Sequence, residues 1–285
     1  MKTVGIISKP AKPELKAILP RLLDWLRERG YEIFMDQQTA AYVSGPDVVE
    51  RDLIAFRKPE FVVVLGGDGT LLAAARAVSR AEIPILGVNL GSLGFLTEVS
   101  LADLYPTLEA LQANCCMVES RAMLHCQLVR EDNCVSQYEA LNDVVVSKGA
   151  LARISDFDVY IDEAFVSNYK ADGLIIATTT GSTAYSLASG GPILAPDVPG
   201  FVITPVSPHA LTNRPLVVRD SARIEVRIKS TQEDAYLTVD GQVGMPVRDS
   251  DRIICHKSQH QVKLIRRRET TFFDVLRVKL KWGER

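Results

Sequence analysis

Histidine and cysteine are scarce in this chain, with four and five copies among 285 residues. No Cys-x-x-Cys pair occurs, Cys115 and Cys116 are adjacent, and the histidines are scattered. A zinc site and a disulfide framework are therefore both excluded as organising devices; no metal ligands are assigned, and reduced thiols in a cytoplasmic setting are expected. No apolar run approaches the roughly 18 residues of a membrane span. The opening Met1-Lys2-Thr3-Val4-Gly5-Ile6-Ile7 meets Ser8-Lys9-Pro10 too soon for a signal sequence and is expected to be a first strand. A net charge of −2 gives nucleic acid and anionic membranes little to hold, so neither is expected as a partner. A Walker motif, G-x-x-x-x-G-K-[ST], is missing altogether.

What is present is an ordinary globular composition, 47% hydrophobic and 24% charged, long enough for one large or two moderate domains. Its most informative stretch is Phe61-Val62-Val63-Val64-Leu65-Gly66-Gly67-Asp68-Gly69-Thr70, followed by Leu71–Val78. The apolar, β-branched run reads as a strand buried on both faces and the alanine-rich run as a helix. Three glycines between them leave little side-chain bulk and permit positive φ, exposing backbone N–H groups at a helix N-terminus, where phosphate binds well. This is not the dinucleotide fingerprint, whose third glycine would fall at Leu72. Asp68 is the anomaly. At 4 Å from a phosphate charge, a carboxylate is repelled by roughly 4 kcal/mol at an effective dielectric of 20. It makes sense beside a metal bridging the phosphates, or as the acceptor of an attacking hydroxyl's proton. A helix N-cap is the alternative.

Strand and helix alternate through the first hundred residues. Strands are expected at Val4–Ser8, Tyr31–Met35, Phe61–Leu65 and Ile83–Val88, with helices at Pro13–Arg29 (kinked at Pro20), Asp47–Arg57 and the run after Thr70. Asp36–Gly45 reads as a polar loop. Such alternation requires a parallel sheet, whose ligands bind beyond the C-terminal strand ends. The aspartate loop and Asn89-Leu90-Gly91-Ser92-Leu93-Gly94-Phe95 both fall at that edge. After a linking helix, Leu101–Ala113, short alternating runs dominate to about Leu264, punctuated by Asp132-Asn133, Lys148-Gly149 and Asp240-Gly241. The expected fold is an α/β N-terminal domain with a parallel sheet, residues 1–100 and 269–285, plus a mainly antiparallel β domain, 101–268. The helical pattern of Thr271–Lys281 returns to the first domain, and Arg266-Arg267-Arg268 is expected to be a solvated segment before it.

Two stretches of the β domain stand out. Thr178-Thr179-Thr180-Gly181-Ser182-Thr183-Ala184-Tyr185-Ser186 carries seven hydroxyls and is closed by Gly190-Gly191-Pro192. It reads either as a surface of small donors and acceptors for ribose and phosphate, or as a threonine-rich turn. Asn142-Asp143 interrupts an apolar strand and either faces a polar site or begins an exposed strand.

Together these residues resemble the bacterial NAD kinases over nearly the whole chain. The resemblance rests on Gly66-Gly67-Asp68-Gly69-Thr70, on Gly91-Ser92-Leu93-Gly94-Phe95, on Asn142-Asp143, and on Asp172-Gly173 through Thr180–Tyr185 to Gly190-Gly191-Pro192. Ser207-Pro208-His209-Ala210-Leu211 and Arg214-Pro215-Leu216-Val217 also look like the family's. The resemblance implies transfer of the γ-phosphoryl group of ATP to the 2′-hydroxyl of the adenosine ribose of NAD, with Mg²⁺ or a similar cation, at a site between the two domains. It implies that Asp68 orients or deprotonates that hydroxyl, and that Gly66, Gly67, Gly69 and Thr70 hold phosphate. Asn142 and Asp143 would bind adenosine and ribose, with Thr183, Ala184 and Tyr185 in the same pocket. Asp172 would reach the nicotinamide end and Phe95 would lie near a nucleotide ring. Relatives have a serine where Ala188 stands, and those strict for oxidised NAD often have arginine where Lys170 stands.

The resemblance also implies a homo-oligomer, a tetramer, in which Asp172 serves a neighbouring chain's site. The apolar run Gly200–Val206 points the same way. Two other classes remain open here: a lipid kinase of the diacylglycerol or sphingosine type, which shares the first loop, and a catalytically silent NAD(P)-sensing module.

Overall fold

The computed structural model describes residues 2–149, 155–229 and 235–283. The chain divides into two compact units, one of residues 1–121 and 260–285, the other of residues 122–259.

In the first unit five strands run parallel: β1 (Lys2–Ser8), β2 (Tyr31–Asp36), β3 (Asp47–Val49), β4 (Phe61–Gly66) and β5 (Ile85–Asn89), in the order β3-β2-β1-β4-β5. The two-residue β6 (Val99–Ser100) and Leu264 also pair with β5, both parallel. Every residue of β4 is buried, as a central parallel strand requires. Each fully buried valine there contributes about 1.5–3 kcal/mol relative to exposure. Helix α1 (Leu15–Glu28) buries Leu15, Leu19, Leu22, Leu23 and Leu26 at helical spacing and runs through Pro20. It stops at Gly30, whose φ of +76° a side chain would resist.

Two local expectations fail here. Asp36–Gly45 contains a short helix, α2 (Gln37–Ala40), because the buried Asp36 carboxylate caps it through the Thr39 N–H at 2.9 Å. Asp47–Arg57 is not one helix but β3 followed by a 3-10 helix, Arg51–Arg57. Pro46 is a helix-opening signal, yet the free edge of β2 takes up the next three residues as a strand. Helix α3 (Asp68–Val78) follows β4 directly, and α4 (Leu104–Gln112) covers part of the expected linking helix.

The second unit is antiparallel throughout its registered pairs. Its strands are β8 (Asn133–Ala140), β9 (Asp143–Lys148), β10 (Ser155–Ile161), β11 (Ala164–Ala171), β12 (Gly173–Ala177), β13 (Gly200–Val206), β14 (Leu216–Arg219), β15 (Ile224–Lys229), β16 (Ala235–Val239) and β17 (Val243–Val247), with residues 122–130 of β7 (Met117–Arg130) and residues 252–259 of β18 (Arg252–Arg266), whose remaining residues belong to the first unit. One sheet has the order β14-β13-β12-β9-β16-β17. The strands β11-β10-β15-β18 pair in another, and β7 pairs with β8. A core of Leu124, Val144, Phe157, Ile176, Phe201, Val226 and Leu237, among others, fills the unit. Gly200–Phe201 and the next four residues are buried inside this chain, between β12 and β14. Their apolarity is therefore used internally and is no argument for a second chain.

Short α5 (Tyr185–Ala188) follows β12, and α6 (Phe272–Leu280) belongs to the first unit. Thr271 and Asp274 form a capping box at its start. The basic triplet is solvated only in part, at the exposed Arg268. Arg266 is buried and bonds Glu98 (2.8 Å) and Glu119 (2.5 Å), and Arg267 bonds Asp103 (2.6 Å). Burial pushes the Glu98 carboxyl up to about 7 against the opposing pull of Arg266 and Arg121.

Candidate active site

The glycine loop lies at the C-terminal end of β4, and Gly66 pairs in register with Asn89 at the end of β5. The two glycine-rich segments thus leave neighbouring strands. None of Gly66, Gly67 and Gly69 has positive φ. At Gly66 smallness serves close approach instead. A Cβ on Gly66 would come within 2.5 Å of Thr70 Oγ1, whereas one on Gly67 would meet nothing within 4 Å. The N–H groups of Thr70 and Leu71 both turn back to the Gly67 carbonyl, at 2.9 and 3.2 Å.

Asp68 is the first residue of α3, not its cap, and the capping position is Gly67, without a side chain to serve. The carboxylate turns instead to the second glycine-rich segment. Oδ1 accepts from Leu96 N (3.1 Å), Thr97 N (3.0 Å) and Thr97 Oγ1 (3.0 Å), and Oδ2 accepts from Phe95 N (2.9 Å). Gly94 makes this possible, since a Cβ there would lie 2.1 Å from Asp68 Oδ1. Oδ1 is saturated by three donors. Oδ2 has one donor and keeps a lone pair for a further hydroxyl or cation. Asn89 braces the same segment, accepting from Gly91 N at 2.6 Å and donating to the Ser92 carbonyl. The half-buried Phe95 ring has Lys279 Nζ 5.6 Å from its centroid.

In the second unit, Asn142 is half-buried and Asp143 buried at the start of β9, so the exposed-strand reading fails. Asp240, in the turn between β16 and β17, gathers this corner. Its carboxylate accepts from Leu141 N (3.1 Å), Asn142 N (2.7 Å) and Asp143 N (3.2 Å). Burial, with the Asp240 charge beside it, pushes the Asp143 carboxyl up to about 7. The sequence marked Asp240 only as a turn residue; its wider role depends on the pairing of β16 with β9.

The hydroxyl-rich stretch packs onto the same corner. Gly181 lies so close that a Cβ would sit 2.0 Å from the Asn142 carbonyl oxygen. Its hydroxyls are mostly spent on the protein itself. Thr178 bonds the Leu141 carbonyl (2.5 Å), Ser182 that of Thr179 (2.6 Å), Thr183 that of Thr180 (3.0 Å), and Ser186 meets Thr204 (2.8 Å). The expected open surface of donors is therefore a buried, self-bonded turn. Thr183 and Ala184 are partly accessible and Tyr185 is 46% exposed.

Asp172 pairs with Lys148 (2.6 Å), a partner the sequence did not single out. Lys170 is exposed, its carbonyl accepting from His209 N at 2.9 Å. Ala188 is exposed beside half-buried Ser189. Among the described residues no cluster of three or more His, Cys, Asp or Glu could hold a metal, and no helix is long and apolar enough to cross a membrane.

Comparison with known proteins covers both units. Residues 4–114 match the ATP-NAD kinase N-terminal domain and residues 141–267 the ATP-NAD kinase C-terminal domain. The chain is 59% identical to an NAD kinase of Koribacter versatilis and 46% identical to one of Geotalea daltonii, each over the full length of both proteins. Among solved structures it resembles yeast NADH kinase complexed with NADH (TM-score 0.88, 27% identity, 100% of this chain and 89% of the other). It also resembles an NAD kinase from Archaeoglobus fulgidus in complex with ATP (TM-score 0.76, 25% identity, 96% and 98%).

Proposed function

The chain belongs to the NAD kinase family, and from that premise we propose how its residues divide the work. The reaction transfers the γ-phosphoryl group of ATP to the 2′-hydroxyl of the adenosine ribose of NAD, giving NADP. Family membership sets aside the lipid kinase and the silent sensor. The observation that carries the assignment of roles is the Asp68 carboxylate, held by four donors with one lone pair of Oδ2 uncommitted. A carboxylate so fixed can receive the hydroxyl's proton without reorganising. Gly66, Gly67, Gly69 and Thr70 hold the transferred phosphate. The open space over Gly67 supports this.

Asn142 and Asp143, fixed by Asp240, bind the adenosine and its ribose. Thr183, Ala184 and the exposed Tyr185 line that pocket, and Asp172 and Lys170 serve the dinucleotide's other end. Phe95 packs near a nucleotide ring. Mg²⁺ suits this chemistry without a protein cage, because such an ion is held largely by substrate phosphates and neutralises their charge. The unit of residues 1–121 and 260–285 handles phosphate, and the unit of residues 122–259 binds NAD and makes the oligomer contacts. The protein works in the cytoplasm as a homotetramer.

Purified protein incubated with ATP, Mg²⁺ and NAD should accumulate NADP; its failure to do so removes the proposal. Sedimentation should give the mass of four chains, and a monomer mass at assay concentration would remove the tetramer.

A further inference from the structure

The order β3-β2-β1-β4-β5 reverses at one place. From β1 the chain passes outward to β2, and from β4 it passes the other way to β5. The crevice beyond the ends of β1 and β4 is therefore the topological switch point, where open α/β sheets take their ligands. One wall of it is the glycine loop. The other is the residue that follows β1, Lys9.

Lys9 is fixed there by its backbone, whose N–H donates to the Leu65 carbonyl at 2.8 Å and extends the ladder between β1 and β4 by one step. Its Cβ stands beside the loop, 3.2 Å from where a Cβ on Gly66 would be. The residue is exposed and, among the described residues, has no carboxylate within ion-pair distance. Lys12, three residues on, is paired with Glu14 at 3.3 Å. Pro10 and Pro13 restrict the backbone that leads away.

The loop itself carries no compensating charge. From Gly66 to Ala75 there is neither lysine nor arginine, and Asp68 adds a negative charge beside the phosphates. Within the loop only backbone dipoles face the polyanion, next to a carboxylate.

We propose that Lys9 is the cation that grips the triphosphate tail of ATP opposite the glycine loop. This rests on the kinase reading above. The test compares wild type with Lys9→Met, which keeps the stem and removes the charge, and Lys9→Arg, which restores it. Lys9→Met should raise KM for ATP about ten- to hundredfold, the worth of a charged hydrogen bond, and leave KM for NAD unchanged. Lys9→Arg should recover most of that loss. Inhibition constants should show ATP binding weakened and AMP binding hardly altered, a pattern that mere distortion of the loop would not produce. An active wild type with the same KM for ATP in Lys9→Met overturns the assignment of Lys9 alone. A wild type that forms no NADP overturns the kinase reading, and this inference with it.

Discussion

Asp68→Asn separates chemistry from architecture at this site. The amide is isosteric with the carboxylate but offers one acceptor oxygen instead of two. Placed at the Oδ1 position, that oxygen can keep Leu96 N, Thr97 N and Thr97 Oγ1. The NH₂ group then faces the Phe95 N–H, which now bonds to Oδ2 at 2.9 Å. Two donors in opposition leave a partly buried amide unsatisfied, which costs about 1–3 kcal/mol of stability. The loss of a proton acceptor should independently lower kcat by at least about 10²-fold. The control is Thr97→Val, which removes one donor from Oδ1 and leaves the carboxylate. It should cost about 1 kcal/mol in urea unfolding and change kcat little. Steady-state kinetics with saturating ATP and NAD, beside urea unfolding of both variants, gives all four numbers. If Asp68→Asn loses stability yet turns over within a few-fold of wild type, Asp68 is a clasp for the 95–97 segment and the catalytic assignment is wrong.

Asp240→Asn should loosen the Asn142-Asp143 corner by leaving one of three backbone N–H groups facing a donor, at about 1–3 kcal/mol. KM for NAD should rise and KM for ATP stay constant, and an unchanged KM for NAD would sink the positioning role. The raised carboxyl of Asp143 predicts a pH dependence of stability. Its pKa stands at about 7 against an ordinary 3.8, so the native state holds a proton that the unfolded chain releases. The native state binds more protons across that interval, and stability relative to Asp143→Asn should therefore fall as pH rises from about 4 to 7 and level off above. The full change is roughly 4 kcal/mol. Urea unfolding of the two proteins between pH 4.5 and 8 reads the difference directly, and a difference that stays flat refutes the buried, protonated Asp143.

Local chemistry carried the parts of this protein that could be read from its sequence. The buried run before Gly66, the helix after Thr70 and the turn glycines lie within eighteen consecutive residues, so hydrophobic period and residue size sufficed to place them. The same logic found the leucine stripe of α1 and the shift to antiparallel strands. It failed at Asp47–Arg57, where a helix-opening proline was outweighed by the pairing of Asp47–Val49 with β2. What Asp68 does was beyond local reading, because its donors lie 27–29 residues away and an N-cap role fits the same local pattern. The solvent-facing reading of Arg266 failed for the same reason, its carboxylate partners lying 147 and 168 residues back along the chain. The hydroxyls of residues 178–186 show a third kind of limit. Composition reveals how many donors a segment has, but whether they face a ligand or one another depends on the carbonyls that folding brings alongside them, here those of Leu141, Thr179 and Thr180. Sequence determined which groups the site could use; the close approach of Gly94 to Asp68, and of Gly181 to Asn142, decided which of them are already engaged by the protein.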